Sequence, residues 1–145
     1  MDKDFDFKQI PHYWPLCYLS DCDRKEECMR YQACLQAPDK TLHRPCVLPT
    51  ALKRTPCPSF HPIQKIRVAV GFRHIFNKVL AKDIAEMRSK IREYLGNKSA
   101  FYMYRKGKRQ LTPRQQEWIC QLFRRYGYTH EVVFDEYKYI YVYSD

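Results

Sequence analysis

Eight of the nine prolines of this chain, and six of its seven cysteines, stand at or before Pro62, whereas all four glycines stand after it. No other feature constrains the fold as strongly. Proline fixes φ and has no amide proton to give, so a stretch this rich in it forms few ladder hydrogen bonds. Residues 1–62 are therefore expected to be irregular, without a core of their own, and in need of a cross-link to offset the entropy of ordering them. Charge divides at the same place. The first part carries 9 Lys+Arg against 8 Asp+Glu, net +1, and the second 17 against 8, net +9. The expected organisation is a Cys/Pro-rich segment over 1–62 and a basic domain over 63–145.

What could the cross-link be? The N-terminal MDKDFDFKQI lacks the basic start and apolar stretch of a secretory signal. No apolar run approaches the ~20 residues that a membrane helix needs. The expected address is cytoplasmic, with no membrane partner and with thiols kept reduced. A tetrahedral thiolate–zinc site suits that chemistry, and such sites contribute roughly 10–16 kcal/mol of apparent binding energy to folding. The stretch DRKEECMRYQACLQA predicts a helix capped by Asp21 or Asp23, with Cys28 near its start. Cys34 lies six positions on, about 240° around the helix, and is poorly placed to share an ion with Cys28. This groups Cys17, Cys22 and Cys28, with Cys57 of TPCPSFHP as the fourth ligand and Cys46 and His61 in reserve. Cys34 reads as a packing residue beside Leu35. The close C-x2-C knuckle of most zinc fingers is missing, and Cys57-Pro58 matches the Cys-Pro ending of some iron–sulfur motifs. An iron–sulfur cluster and plain reduced thiols are thus the alternatives to zinc.

The stretches CYLSDC (17–22), KEECMRYQAC (25–34) and CPSF (57–60), with YRKGKRQLTPRQQEWI (104–119), carry a resemblance over most of the chain. The sequence resembles a family of short uncharacterised proteins from gut Bacteroidales. That resemblance implies no activity.

After residue 62 the pattern becomes regular. KIRVAV alternates as a half-buried strand, with Ile66, Val68 and Val70 on one face and Lys65, Arg67 and Ala69 on the other. AKDIAEMRSKIREYLG places Ile84, Met87, Ile91 and Leu95 at helical spacing and stops at Gly96. AFYMYRKG reads as a second strand turning at Gly107. LTPRQQEWICQLFRRYG reads as a helix capped by Thr112, with Pro113 in its first turn and Gly127 at its end. HEVVFDEYKYIYVYS, residues 130–144, reads as a hairpin turning at Asp135–Glu136. The predicted class is α+β: a β-α-β-α-β-β two-layer sandwich of antiparallel sheet and two helices, with the metal-binding segment docked on it. The face opposite the helices would carry Arg67, Tyr139, Tyr141 and Tyr143, joined by Tyr102 and Tyr104. Tyr139 and Tyr141 are then either candidates for stacking single-stranded bases or, in the favoured reading, covered by the cysteine segment.

A second candidate surface is RKGKR, with Arg105, Lys106, Lys108 and Arg109 around a glycine, followed by Arg114, Arg124 and Arg125 on the next helix. Such a knob can reach phosphates. It can equally be a solubilising turn, but net +9 over 83 residues exceeds what solubility requires. No nucleophile elbow, P-loop, dinucleotide fingerprint or metalloprotease helix is present, so an enzyme is the least supported class. Two readings remain. One is a zinc-stabilised module contacting RNA, DNA or a ribonucleoprotein. The other is a protein–protein adaptor with purely structural zinc, whose tyrosines form the contact surface and whose alternative partner is an acidic protein. An iron–sulfur redox or sensor protein is a distant third. The sequence does not specify the oligomeric state.

Overall fold

The structure, a computed structural model, describes residues 1–143. Two compact units divide the chain: Met1–Lys65 together with the stretch from Ile140 onward, and Ile66–Tyr139.

The first unit has little regular structure, as its prolines require. Single helical turns at Phe7–Gln9, Lys25–Glu27 and Pro49–Lys53 accompany one short helix, α1 (Met29–Leu35). Isolated bridges join Leu16 to Cys46 and Cys28 to Pro62. The helix expected from Asp23 onward is thus shorter than its sequence suggested, and neither Asp21 nor Asp23 caps it. Cys28 is extended (φ −98°, ψ 122°) because it pairs with Pro62, and the Met29 amide donates to the His61 carbonyl at 2.7 Å. The expectation that this segment lacks a core is also corrected. Ile10, Trp14, Leu16, Met29 and Ala33 are buried together, and the core is completed by Tyr141, with Tyr143 packed against it. Those tyrosines come from the far end of the chain, which is how a proline-rich segment acquires enough apolar area.

The second unit is α+β. Its elements in order are β1 (Lys65–Val70), α2 (Ala81–Leu95), α3 (Lys98–Arg105), β2 (Gln110–Leu111), α4 (Pro113–Arg125) and β3 (Glu136–Tyr141). The three strands form an antiparallel sheet in the order β2-β1-β3. Ala69 pairs with Leu111 and Val70 with Gln110. At the other edge the Asp135 amide donates to the Gly71 carbonyl at 2.9 Å. The core gathers Phe72, Met87, Ile91, Phe101, Leu111, Ile119, Phe123 and Phe134.

Three expectations for this unit need correction. AFYMYRKG is a helix, not a strand: the Asn97 side chain accepts the Ala100 amide at 2.8 Å and starts α3, so Tyr102 and Tyr104 are helical. The stretch around 130–144 contributes one strand rather than a hairpin. Residues 131–134 are not strand, although Phe134 is buried, and Ser144 lies outside the described residues. The sheet face is also reversed. Ala69 belongs to the helix-side core and Tyr137 packs against it, whereas Val68 is buried outside that cluster. From α4, Gln116 Nε2 donates to the Arg67 carbonyl at 3.1 Å.

Candidate metal centre and basic surface

Cys17, Cys22, Cys28 and Cys57 line one cavity of about 20 Å³ in the first unit, with Leu19, Val47, Leu52 and Phe60 among its apolar walls. Local structure explains the convergence. Cys17 is held against α1 by its amide, which donates to the Arg30 carbonyl at 3.1 Å. Cys22 closes a turn onto Leu19, and Cys28 sits at the N-cap of α1. Cys57 opens the loop leading to the Cys28–Pro62 bridge. Burial pushes the Cys17 thiol above its ordinary pKa, and the neighbouring Cys28, Cys22 and Cys57 add to the shift. The cavity is of the size that admits one water-sized occupant. Among the described residues, however, no group of three or more His, Cys, Asp or Glu side chains could hold a metal ion as it stands. The thiols share a cavity without yet forming a coordination sphere.

The remaining candidates lie apart from that cavity's wall. Cys34 is half-buried on α1, and its thiol is raised first by burial, then by the nearby Cys46 and Cys17. Its neighbour Leu35 is exposed, so the pair does not pack as one. Cys46 donates weakly to the Arg44 carbonyl at 3.4 Å. His61 is buried, with Nδ1 3.0 Å from the Pro62 carbonyl and its ring edge-on to Trp14.

Two cations on the cavity wall were missed in the sequence. Arg30 is 5% exposed, donates from Nε to the Ser59 carbonyl (2.7 Å) and from Nη1 to the Pro15 carbonyl (2.9 Å), and lies over the Trp14 ring. Lys25 donates to the Ser20 carbonyl at 2.9 Å. Both line the thiol cavity. Nothing in the pattern signals a buried arginine, a residue type that is almost always exposed.

In the second unit the basic turn follows α3. Lys106, Lys108 and Arg109 are exposed, Arg105 is half-buried, and the Phe72 amide donates to the Arg105 carbonyl at 3.2 Å. Arg114, at the start of α4, is exposed as well. Arg124 and Arg125 sit at the other end of α4, roughly 15 Å away by the rise per residue. Arg124 pairs with Glu117 at 3.3 Å. The seven predicted basic residues thus fall into two groups.

The tyrosines also separate. Tyr139 is exposed, but Tyr141 is buried against Phe5 and its hydroxyl donates to Asp2 Oδ1 at 2.9 Å. Tyr141 is a core residue of the first unit and offers no free face to a base. No helix is long and apolar enough to cross a membrane among the described residues.

No curated protein matches this chain, and no solved structure does. Residues 1–143, spanning the cysteine segment and the basic unit alike, match the family of unknown function DUF6078, and the chain belongs to that family.

Proposed function

We propose that this protein is a cytoplasmic, zinc-stabilised binding module whose basic unit contacts the phosphates of RNA or DNA, free or within a ribonucleoprotein. The observation that carries the reading is the convergence of Cys17, Cys22, Cys28 and Cys57 on one ion-sized cavity. A zinc ion held by four thiolates carries a net charge of −2, and burying such charge needs compensation nearby. Arg30 and Lys25 on the same wall supply two positive charges. Closing the site requires the thiols to move inward and lose their protons, which metal binding itself drives. On the other unit, a turn with three exposed cations gives the phosphate contact.

Elemental analysis of protein purified under reducing conditions tests the metal: one zinc per chain is expected. The double variant Cys17→Ser/Cys57→Ser should lose it and Cys34→Ala should keep it. Stoichiometric zinc in the double variant overturns the assignment, and a brown protein with visible absorption replaces zinc by an iron–sulfur cluster. For nucleic acid, binding should be largely independent of sequence and weaken with salt. Replacing Lys106, Lys108 and Arg109 together by alanine should flatten the plot of log affinity against log salt by up to ~3 units. The adaptor reading is favoured by the exposed Tyr13, Tyr18, Leu42 and Leu48 of the first unit. Zinc without any affinity for RNA or DNA at low salt would select it, with the basic turn meeting an acidic protein.

A further inference from the structure

Five consecutive residues of the second unit, Thr129 to Val133, make no backbone hydrogen bond among the described residues. Its backbone is tied only at its ends, while the His130 ring packs edge-on to Phe123 and Tyr128 and Val132 packs against the core. The Tyr128 amide donates to the Phe123 carbonyl at 3.1 Å and the Asp135 amide to the Gly71 carbonyl at 2.9 Å. The Phe134 amide goes to the Tyr137 hydroxyl at 3.2 Å. Peptide groups left in this state are met by water or by a ligand. Those of Thr129 to Val132 border a groove of about 740 Å³, within the range of small-molecule sites.

The rest of the groove has a definite chemistry. One wall is α4 from Gln116 to Arg124, eight residue steps and so about 12 Å long. At one end the Arg67 guanidinium lies 3.8 Å over the Tyr137 ring, on a residue that is itself exposed. Gln116 holds the Arg67 backbone through its carbonyl. At the other end is Arg124, whose partner Glu117 is exposed like itself, so exchanging that pair for an anion costs little. Cys120 also lines the groove, its thiol raised above the ordinary value by burial and then by Glu117. With Glu117 and Glu131 on the same walls, Arg124 is the cation left for an anion at this end.

We infer that this groove takes one nucleotide, free or as a unit of a single strand. The base lies on the face of Arg67 turned away from Tyr137, its edge meets the peptide groups of Thr129–Val132, and its phosphate points to Arg124. A flat guanidinium is a stacking platform for bases, and an unpaired base edge offers the donors and acceptors that an open peptide segment matches. This rests on the proposed nucleic-acid function where the source is a strand, but not where it is a free nucleotide.

The test is a titration of the ¹⁵N-labelled full-length protein with AMP, UMP and inorganic phosphate in separate arms. Both nucleotides should shift the amides of residues 129–134, and phosphate alone should not. Arg67→Ala should weaken nucleotide binding about 5- to 100-fold. Arg67→Lys, which keeps the charge and loses the plane, should weaken it too. The variant lacking Lys106, Lys108 and Arg109 should keep the nucleotide-induced shifts. Silent amides with both nucleotides, or equal shifts with phosphate alone, overturn the inference even if oligonucleotides bind through the basic turn. Shifts with AMP and UMP in a protein that binds no oligonucleotide uphold the groove and end the nucleic-acid reading instead.

Discussion

Gly107 and Gly127 each follow a helix in the left-handed region, at φ 84° and φ 86°, yet a methyl group would meet different surroundings. At Gly127 it would find open space. At Gly107 it would stand 2.9 Å from Val70 Cγ1, inside the contact limit. Gly127→Ala should therefore cost only the left-handed penalty, about 1 kcal/mol. Gly107→Ala should cost about 2–4 kcal/mol, because a β1 side chain must move as well. Urea denaturation of the two variants measures the difference, and equal costs would mean that the basic turn does not press on β1. The stop at Gly127 was legible, since it stands where a helical period ends, whereas Gly107 was read as the turn after a strand and not as the end of a helix. The helical angle between Cys28 and Cys34 does not apply, because Cys28 is extended and only Cys34 lies on α1. Arg30 was not legible. Its partners are carbonyls of Pro15 and Ser59, 15 and 29 residues away, and such contacts leave no periodic trace in sequence.

Among the elements, α4 was the most legible because its signals are local. Thr112 accepts the Gln115 amide while the Gln115 side chain accepts the Thr112 amide, and Pro113 occupies the first turn. Thr112→Ala should lower stability by about 1 kcal/mol, read from the same denaturation curves. The helix α3 was misread for a related reason. Phe101 and Met103 alternate with Tyr102 and Tyr104 as in a strand, but Asn97 supplies a cap, and Phe101 and Tyr104 also stand at helical spacing. A third element-level feature is the tie at the start of β1. Lys65 contacts Asp2 and Asp4, and the Tyr141 hydroxyl donates to Asp2. The hydrogen bonds from Lys65 and then Tyr141 hold the Asp2 carboxyl at about 2, below its ordinary 3.8. Because the folded value is the lower one, the tie contributes fully above the ordinary value and is lost as pH falls from about 4 towards 2. Amide exchange of residues 2–5, compared with a reference peptide at each pH, should lose protection over that window in the wild type. In Asp2→Asn it should change little there.

At the scale of the whole molecule, proline and glycine separate near residue 62, and the units part between Lys65 and Ile66. The return of the chain to the first unit at Ile140 was not visible. The run YKYIYVY keeps one alternating pattern with no glycine or proline to mark a change of neighbours, and only tertiary packing assigns Tyr137 to one core and Tyr141 to the other. This partition makes a prediction for zinc removal. Of the 43 residues in α1 to α4, only the 7 of α1 belong to the first unit. The second unit's core is drawn entirely from residues 69 to 137 and includes no cysteine ligand. Chelation under reducing conditions should thus remove at most about a sixth of the far-UV helical signal, the share that α1 contributes. The two tryptophans report separately: Trp14 is 1% exposed in the first unit, and Trp118 stacks on Tyr94 at 3.9 Å in the second. In a Trp118→Phe variant, chelation should shift the remaining emission of Trp14 to longer wavelength as its core opens, while protease cuts appear within residues 1–65. Loss of the whole helical signal would mean that the units do not fold independently. Unchanged Trp14 emission after complete zinc removal would mean that the apolar core of Ile10, Leu16, Met29 and Tyr141, rather than the metal, holds the first unit together.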